Sequence, residues 1–566
     1  MQVHNADIAA VFEEIADLLE LGDANPFRVR AYRNAARVVS GLSLDLAARL
    51  AEGAELPKLP GIGADLGGKI HEIAASGSCK LLAQLRSKFP SGITELLRLP
   101  GLGPKRARAL HNARIDSLED LRRAARAGKL PALPGFGEKT AQRITAAAEA
   151  QLGTVRRFKL AVAAQYAEPL AKYLGATVAG SYRRMKDTVG DLDFLVVSGE
   201  PEKAVERFVR YAEVKEVLAR GTTRSSVRLA CGIQADLRVV PPQSFGAALH
   251  YFTGSKSHNI AVRKLGIARG LKINEYGVWR GEKRIAGETE ESVYAAVGLP
   301  YIEPELRENQ GELEVARRGD LPRLPELSDL RGDLHVHTSA TDGRNTAREM
   351  AFAAKAAGLQ YLAITDHSRR LAMAHGLDPR RLERQMAEID DVNAELRGIT
   401  LLKGIEVDIL EDGSLDLPDS ALAKLDLVVA AVHGNFGLSR ARQTARVLKA
   451  LDNPHVSILA HPTGRLIGER EPFEIDMLAV MRRAKRRGVA LELNAHPDRL
   501  DLNDVHCRMA KDEGVLVAIG SDAHGVDGFG VLRYGVGQAR RGWLEGEDVL
   551  NTRSLAELRK AIHLAM

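Results

Sequence analysis

Residues 180–194 read GSYRRMKDTVGDLDF, and this stretch decides how the middle of the chain folds. Side chains two residues apart in a strand point to the same face, so a strand here presents Asp191 and Asp193 together. Such a pair suits two Mg²⁺ ions, about 3.5–4 Å apart, that clamp the attacking and leaving oxygens of a phosphoryl transfer. A lone D-x-D is usually a turn or a surface strand, so the flanking sequence has to decide.

A third carboxylate and an upstream turn complete this predicted centre. In residues 233–239, IQADLRV, apolar and polar residues alternate. The alternation places Asp236 on the polar face of another strand, where it can bind the catalytic metal and accept the proton of the attacking hydroxyl. Gly180 and Ser181 let the backbone approach a triphosphate, and Arg184 neutralises it. The pattern predicts an α/β nucleotidyltransferase with two Mg²⁺ (or Mn²⁺) ions.

Upstream of this centre a glycine-rich pattern occurs three times, as LPGIG at 59–63, LPGLG at 99–103 and LPGFG at 133–137. Its glycines permit a tight turn with backbone N–H groups exposed at a helix start, where a phosphate can bind. Three copies together resemble the helix-hairpin-helix modules of DNA-repair proteins. They predict sequence-independent DNA binding at Gly61, Gly63, Gly101, Gly103, Gly135 and Gly137.

Charge is distributed unevenly along the chain. Residues 1–320 contain 47 Lys+Arg and 38 Asp+Glu, a net charge of +9, whereas residues 321–566 contain 33 and 36, a net charge of −3. The basic first half suits a polyanion partner. We find no signal-peptide pattern, no apolar stretch near the roughly 20 residues of a membrane helix, and no C-x-x-C pair. The sequence predicts a cytoplasmic, nucleoid-associated protein without membrane contact.

The second half carries most of the histidines, since eleven of the sixteen follow residue 331. Short apolar strands alternate there with Ala/Arg-rich helices, which indicates an α/β barrel, and barrel enzymes place their chemistry at the C-terminal ends of strands. Imidazole and carboxylate ligands together suit Zn²⁺, Mn²⁺ or Fe²⁺. The predicted metal ligands, nearly all at such strand ends, are His335, His337, Asp342, His367, Glu406, His433, His461, Asp522 and His524.

Motifs after the carboxylate strands continue the same order: YFTGS at 251–255, then Asn259 and Arg263, then INEYG at 273–277. Residues 1–300 as a whole resemble DNA polymerase beta and its family X relatives. The resemblance implies nucleotide-binding roles for Gly180, Ser181, Arg184, Tyr251, Phe252, Gly254 and Asn259.

Individual roles also follow from this resemblance. Tyr251 and Phe252 are expected to line the sugar pocket and to select deoxyribose. Asn259 is expected to read the minor-groove edge of the incoming base, and Arg263 to contact the template.

The first 90 residues resemble the small lyase domain of these enzymes. Arg28 and Tyr32 match a pocket for the 5′-phosphate of a gap, and Lys69 falls where the family's Schiff-base lysine lies. Such a lysine must be neutral at working pH. Asp65 replaces a neighbouring family lysine, and its charge favours the protonated amine. Lys69 is therefore either a lyase nucleophile or only a phosphate contact.

The C-terminal half resembles the polymerase-and-histidinol-phosphatase (PHP) superfamily, with all nine ligand positions filled. The resemblance implies up to three Mn²⁺ or Zn²⁺ ions. They would be held by His335, His337, Glu406 and Asp522, by Glu406, His433 and His461, and by Asp342, His367 and His524. Arg465 is expected to hold a substrate phosphate, and His496 is either a support for the ligands or structural.

Over its whole length the chain resembles bacterial family X polymerases. This implies a multidomain fold with α-helical N-terminal helix-hairpin-helix modules, an α/β nucleotidyltransferase palm and thumb, and a distorted (βα)7-type PHP barrel. The expected segments are a lyase-like domain at 1–90, fingers with two helix-hairpin-helix motifs at 91–153, the palm at 154–250, the thumb at 251–318, a linker at 319–331 and the PHP domain at 332–566.

The leading hypothesis is a template-directed DNA polymerase that fills short gaps in base-excision or double-strand-break repair. As a monomer it would use dNTPs and gapped or nicked DNA with a 5′-phosphate. Its PHP domain would act as a 3′→5′ exonuclease, an abasic-site endonuclease or a 3′-phosphatase. One alternative is a small-molecule nucleotidyltransferase fused to a histidinol-phosphatase-like enzyme, which the DNA-binding hairpins disfavour. The other is a DNA-binding scaffold with degenerate sites, which the complete ligand set disfavours.

Overall fold

The computed structural model describes residues 3–563 except 41, 43, 60, 91, 98, 100, 101, 139, 143, 146, 147 and 149–156. The chain divides into two compact units. The first comprises Met1–Phe158 with Ala230–Gly232, and the second comprises Lys159–Leu229 with Ile233–Met566. The hairpins belong to the first unit, and both predicted metal centres belong to the second.

The first unit is helical. Its helices are α1 (Asn5–Leu21), α2 (Pro26–Ser40), α3 (Leu46–Ala51), α4 (Ala64–Ser76), α5 (Lys80–Arg86), α6 (Ile93–Leu97), α7 (Pro104–Asn112) and α8 (Leu118–Arg126). The first helix buries the apolar face that its 3.6-residue period predicts, with Ile8, Phe12 and Ile15 fully inaccessible. Phe12 meets Tyr32 of α2 edge-on, at 5.8 Å between ring centroids. This aromatic contact anchors α2 to the core.

The palm begins at the boundary between the two units, and most of its residues belong to the second unit. Its strands are β1 (Phe158–Lys159), β2 (Thr177–Val178), β3 (Thr188–Val189), β4 (Asp191–Val197), β5 (Val214–Arg220), β6 (Arg224–Leu229) and β7 (Gln234–Val240). Five of them form one sheet in the order β2-β4-β7-β6-β5, in which β4 and β7 are parallel. Its helices are α9 (Leu160–Leu174), α10 (Gly180–Arg183) and α11 (Pro201–Val209).

The thumb follows the palm sheet. Its elements are α12 (Phe245–Thr253), α13 (Lys256–Ile267), β8 (Lys272–Asn274), β9 (Gly277–Arg280), β10 (Lys283–Ala286), α14 (Glu290–Ala296) and α15 (Glu312–Arg318). The three strands form an antiparallel sheet in the order β10-β9-β8. Trp543, from near the C-terminus, is buried in the thumb core, so the thumb and the C-terminal region share one core.

The C-terminal region contains a seven-stranded parallel sheet in sequential order. Its strands are β11 (Gly332–Val336), β12 (Tyr361–Ile364), β13 (Thr400–Asp408), β14 (Leu427–Ala431), β15 (Ile458–Leu459), β16 (Ala490–Asn494) and β17 (Val517–Gly520). Its helices are α16 (Ala347–Ala356), α17 (Pro379–Glu395), α18 (Asp419–Leu422), α19 (Arg440–Leu451), α20 (Met477–Arg487), α21 (Asp504–Glu513), α22 (Leu532–Arg541) and α23 (Leu555–His563).

The first and last strands of this sheet meet at their C-terminal ends. The His337 N–H donates to the Ala523 carbonyl at 2.9 Å, and the Asp522 N–H donates to the His335 carbonyl at 3.0 Å. These bonds bring the sheet round to a nearly closed seven-stranded barrel, as the sequence predicts. In the part of the chain that the structure describes, no helix is both long and apolar enough to cross a membrane.

Candidate active sites

The palm strands bring the three predicted carboxylates to one edge of the sheet. Asp193 of β4 lies directly beside Asp236 of β7 in the parallel register, and Asp191 lies two residues before Asp193. Ser226 Oγ donates to Asp236, and Gln234 Nε2 donates to its second oxygen at 3.0 Å. The side chain of Asp236 is thus oriented by two donors while the other two carboxylates face it.

Concentrated negative charge makes this cluster suited to cations. Burial and the charges of Asp191 and Asp236 raise the pKa of Asp193 to about 7. Divalent cations relieve such repulsion, and three carboxylates supply the oxygen ligands that Mg²⁺ prefers. The donor set therefore fits the expected metals.

Gly180 lies against this cluster at the start of α10. Its φ is +65°, and a Cβ added there would lie 2.5 Å from Asp193 Oδ2. The left-handed conformation and the close approach both require glycine. The structure thereby explains why the G-S turn precedes the carboxylate strand.

The expected nucleotide-binding residues converge from α10 and from the corner between α12 and α13. Arg184 Nη1 donates to the Thr253 carbonyl at 2.6 Å, and Arg184 Nε forms an ion pair with Glu308 at 2.9 Å. Asn259 Nδ2 donates to the Tyr251 and Gly254 carbonyls at 2.6 and 3.1 Å. Arg184 is therefore paired with a carboxylate that the sequence did not single out.

The aromatic pair of this corner is held by arginines. Tyr251 and Phe252 meet edge-on with centroids 5.0 Å apart. The Arg263 guanidinium lies 5.5 Å from the Tyr251 ring, and that of Arg238 lies 4.7 Å from the Phe252 ring. These cation–π contacts fix the two rings expected to select the sugar.

The three hairpins of the first unit share one local geometry. The apolar residue between the glycines donates its N–H to the leucine carbonyl three residues earlier, at 2.9–3.1 Å in all three copies. Gly61 and Gly135 have positive φ, and Gly63 and Gly103 are the N-caps of α4 and α7. Gly137 is exposed. Gly101 lies outside the described residues.

The lyase-like residues lie on α2 and α4. Arg28 is exposed one turn before the buried Tyr32, and Lys69 Nζ lies 2.5 Å from Asp65 Oδ1. Burial alone would lower the pKa of Lys69, but the Asp65 carboxylate and the Tyr32 hydroxyl outweigh it, and the pKa is raised. A Schiff-base lysine needs the opposite shift, so this pairing favours the phosphate-contact role.

Glu406 is the centre of the histidine cluster in the barrel. Its carboxylate oxygens lie 2.7 Å from His367 Nδ1 and 3.1 Å from the Nε2 atoms of His433 and His461. The Nε2 atom of His335 lies 3.5 Å away. Its position among imidazoles from several strand ends suits the bridging role expected for Glu406.

The two aspartates complete the cluster on its more open side. Asp522 Oδ1 lies 3.2 Å from His337 Nε2, and Asp342 Oδ2 lies 3.4 and 3.5 Å from the Nε2 atoms of His367 and His524. Donor atoms gather into three groups, each within 4.8 Å. They are His337, Asp342, His367 and His524; His335, His337 and Asp522; and His367, Glu406 and His433. All nine predicted ligands lie in this one region.

Buried nitrogen and oxygen atoms of the cluster lie close together without forming well-aligned hydrogen bonds. These atoms include His335 Nε2, both ring nitrogens of His337 and Glu406 Oε2. Although burial opposes it, the surrounding histidines hold the pKa of Glu406 well below its usual range, and the charge of Glu406 raises the pKa of His433 to about 9. Metal ions bound between these side chains would coordinate the imidazole nitrogens and neutralise the carboxylates.

Family models match four stretches of the chain. They are a helix-hairpin-helix domain at residues 3–79, a SAM-like helix-hairpin-helix tandem at 93–150, a DNA polymerase beta thumb at 248–308 and a PHP domain at 333–496. Their order along the chain is the order that the motifs predict.

A relative from Bacillus subtilis, named DNA polymerase/3′-5′ exonuclease PolX, is 39% identical over 98% of this chain and 99% of its own length. The chain belongs to the family X DNA polymerases. Two proteins named probable phosphatase match only the barrel of this family X polymerase. They come from Thermoanaerobacter sp. and Acetivibrio thermocellus, and each is 33% identical over 34% of this chain and 78% of the relative.

Two further carboxylates of the family X polymerase support the barrel ligands, although no sequence motif indicated them. Glu492 accepts a 2.7 Å hydrogen bond from the His461 N–H and lies 2.6 Å from His335 Nδ1. Asp408 lies 3.3 Å from His433 Nδ1. Such partners orient ligating imidazoles. A lone carboxylate within the apolar strand β16 was the signal that could have indicated Glu492.

Two expectations for this family X polymerase need correction or refinement. Arg465 does not face the cluster, because it donates to the Arg499 and Leu500 carbonyls and pairs with Asp187 of the palm at 3.1 Å. The arginine beside the cluster is Arg499, whose Nε lies 3.7 Å from Asp522 Oδ2. His496 accepts a hydrogen bond from the Asp498 N–H, which fits its structural role.

Proposed function

We propose that this family X polymerase adds dNTPs to DNA primers at the palm carboxylates and removes nucleotides from 3′ ends at the barrel cluster. The observation that carries the polymerase assignment is the parallel register of β4 and β7, which gathers Asp191, Asp193 and Asp236 at one sheet edge. The nine-residue barrel cluster carries the nuclease assignment.

In the palm, Asp191, Asp193 and Asp236 would hold two Mg²⁺ or Mn²⁺ ions. The ions supply charge neutralisation for a phosphoryl transfer. Asp236, oriented by Ser226 and Gln234, accepts the proton of the primer hydroxyl. The incoming nucleotide contacts the corner formed by Gly180, Ser181, Arg184, Tyr251, Phe252, Gly254 and Asn259.

In the barrel, the nine ligands would hold up to three Mn²⁺ or Zn²⁺ ions, which supply Lewis acidity toward a phosphoester. Mn²⁺ supports the reaction better than Mg²⁺, because six of the nine ligands are imidazoles and Mg²⁺ prefers oxygen ligands. Among the possible hydrolytic reactions we propose 3′→5′ exonuclease activity first, as the name of the Bacillus relative suggests. Abasic-site endonuclease and 3′-phosphatase activities are the other reactions of the same class.

The DNA substrate is a gapped or nicked duplex. Glycines of the three hairpins bind its backbone, and Arg263 contacts the template. Of the predicted 5′-phosphate residues, Arg28 and Lys69 contact the phosphate, while the buried Tyr32 supports Lys69. We propose that the protein acts in short-gap repair as a monomer. Its expected location is the cytoplasm, in association with the nucleoid. We propose that its successive segments end at residues 90, 153, 250, 318 and 331, with the PHP domain following.

A second candidate function is 5′-deoxyribose-phosphate lyase activity at Lys69. The position of Lys69 beside Tyr32, in the predicted 5′-phosphate pocket, suits binding of the lyase substrate. The Asp65 carboxylate and the Tyr32 hydroxyl both raise the pKa of Lys69 and oppose its role as a nucleophile. Small-molecule transfer coupled to a phosphatase is less consistent with the chain, because neither reaction needs three DNA-binding hairpins.

The decisive experiment separates the two centres. Asp193→Ala should abolish extension of a gapped duplex with Mg²⁺ and leave nuclease activity intact, whereas Glu406→Ala and His335→Ala should do the reverse. Asp342→Ala should be milder than Glu406→Ala, because Glu406 would bridge two ions. Undiminished extension by Asp193→Ala would refute the palm assignment, and undiminished hydrolysis by Glu406→Ala would refute the barrel assignment.

A further inference from the structure

A loop at the barrel rim, residues 368–377, begins directly after the predicted ligand His367. The Leu377 N–H donates to the His367 carbonyl at 2.7 Å, and the Ser368 N–H donates to the Glu406 carbonyl at 3.0 Å. A Cβ at Gly376 would overlap the Ser368 carbonyl, so the two ends of the loop are in close contact. The loop is therefore closed at its base and is hydrogen-bonded to the backbone of two candidate metal ligands, His367 and Glu406.

Met373 lies in a short 3-10 turn near the tip of this loop. It is 83% exposed, the largest fraction among the exposed large apolar side chains of the described residues. Ala374 and Leu377 of the same loop are buried, at 4% and 1% exposure. A single exposed apolar residue is ordinary on a protein surface. Met373 differs from such residues in its position, because its loop begins directly after the candidate metal ligand His367.

Charge around the loop complements DNA. Residues 369–384 contain five arginines and two acidic residues, a net charge of +3, within a half of the chain whose net charge is −3. Arg370, Arg380 and Arg384 are exposed, and the exposed Arg369 forms an ion pair with Asp416 at 3.4 Å. Arginines in this position suit the phosphates on both sides of a duplex end.

We propose that the 368–377 loop is a wedge that separates the terminal base pair of a DNA duplex and directs the 3′ strand to the barrel cluster. The proposal rests on the proposed nuclease function. His335, His337 and Glu406 are at most 2% exposed. The side chains of Asp342 and His524 are 32% and 35% exposed, so the cluster is open on that side. A 3′ strand that is separated from its partner fits such a recessed cluster better than an intact duplex end does, as in enzymes that extrude their target nucleotide. Apolar side chains, methionine among them, insert between base steps in other DNA-binding proteins.

The test uses full-length protein with Mn²⁺ and a single-stranded oligonucleotide, a blunt duplex of the same sequence, and that duplex with a short unpaired 3′ tail. Met373→Ser should slow nucleotide release from the blunt duplex about fivefold or more, and change release from the single strand by less than about twofold. The unpaired tail should restore the rate of the variant. Met373→Leu should retain the wild-type ratio between substrates.

Phe352→Ser is the matched control, since Phe352 is 55% exposed on α16 of the same barrel. It should leave both rates unchanged. An unchanged ratio of duplex to single-strand rates in Met373→Ser would overturn the wedge, as would an equal loss on both substrates. A wild-type protein that degrades neither substrate would instead overturn the nuclease function, and the wedge with it.

Discussion

At the scale of one residue, Gly180 shows how closely the backbone approaches the carboxylates of the palm. Its positive φ costs a non-glycine residue about 1 kcal/mol, and a Cβ would press on Asp193 Oδ2. We expect Gly180→Ala to displace Asp193 and to lower the rate of primer extension on gapped DNA by about tenfold or more. Steady-state extension assays with Mg²⁺ measure this.

Gly199→Ala is the control for that substitution. Gly199 follows β4, has no strained φ, and an added Cβ would meet nothing within 4 Å. Its extension rate should equal that of the wild type. Equal rates for Gly180→Ala and Gly199→Ala would show that the close approach at Gly180 does not matter for catalysis.

Lys69 provides a prediction about pH. Because its pKa is raised, the amine is protonated at neutral pH and becomes nucleophilic only as pH rises toward that pKa. We expect borohydride trapping on a 5′-deoxyribose-phosphate end to increase with pH. Asp65→Asn should increase trapping at neutral pH, by about tenfold for each unit by which the pKa falls.

Lys69→Ala is the control for the trapping experiment. It should abolish the trapped product at every pH. A product that persists in Lys69→Ala would assign the chemistry to another amine, and a wild-type yield independent of pH would show that protonation of Lys69 is not limiting.

At the scale of secondary-structure elements, one hairpin glycine allows helix capping and DNA binding to be tested separately. Gly63 caps α4 without a side chain. An aspartate there is a good N-cap, so Gly63→Asp should keep or raise the unfolding temperature. Its charge should nevertheless repel a phosphate and weaken DNA binding by about fivefold. Fluorescence anisotropy with a gapped duplex at fixed salt measures the affinity.

Gly63→Asn is the matched control, because asparagine caps a helix equally well without charge. It should weaken binding less than Gly63→Asp does. Equal affinities of the two variants at low salt would place the phosphate elsewhere than at the α4 N-terminus.

At the scale of the whole molecule, the barrel cluster couples metal binding to stability. Its carboxylates and imidazoles converge from across the barrel, so ions bound in the native state oppose unfolding. Mn²⁺ at about 100 times its dissociation constant contributes about 2.7 kcal/mol, which raises the unfolding midpoint by about 5–10 °C. Calorimetry of chelator-treated protein with and without Mn²⁺ checks this.

Glu406→Ala removes the central ligand and should abolish most of that stabilisation. Asp193→Ala, in the palm, should retain it. A midpoint shift of the same size in Glu406→Ala would mean that Mn²⁺ stabilises the protein at another site.

The sequence by itself determined the elements and their chemistry. The i,i+2 spacing of Asp191 and Asp193, the three hairpins, and histidines that follow apolar strands are local patterns. Such patterns can be interpreted from the general geometry of strands, turns and parallel sheets. The interpretation does not require knowing which distant residues are in contact. The helical hairpin modules, the palm, the thumb and the barrel were therefore predicted. So were the nine candidate barrel ligands, which the structure gathers in one region.

The tertiary structure decided which distant residues became partners. The pairing of Asp193 with Asp236, the Glu492 support of His335 and the ion pair of Arg184 with Glu308 each join separate parts of the chain. Arg465 and Arg499 look alike in the sequence, yet only Arg499 approaches the cluster. Their environments depend on how strand ends and loops pack in three dimensions, and side-chain direction is set by that packing rather than by local sequence.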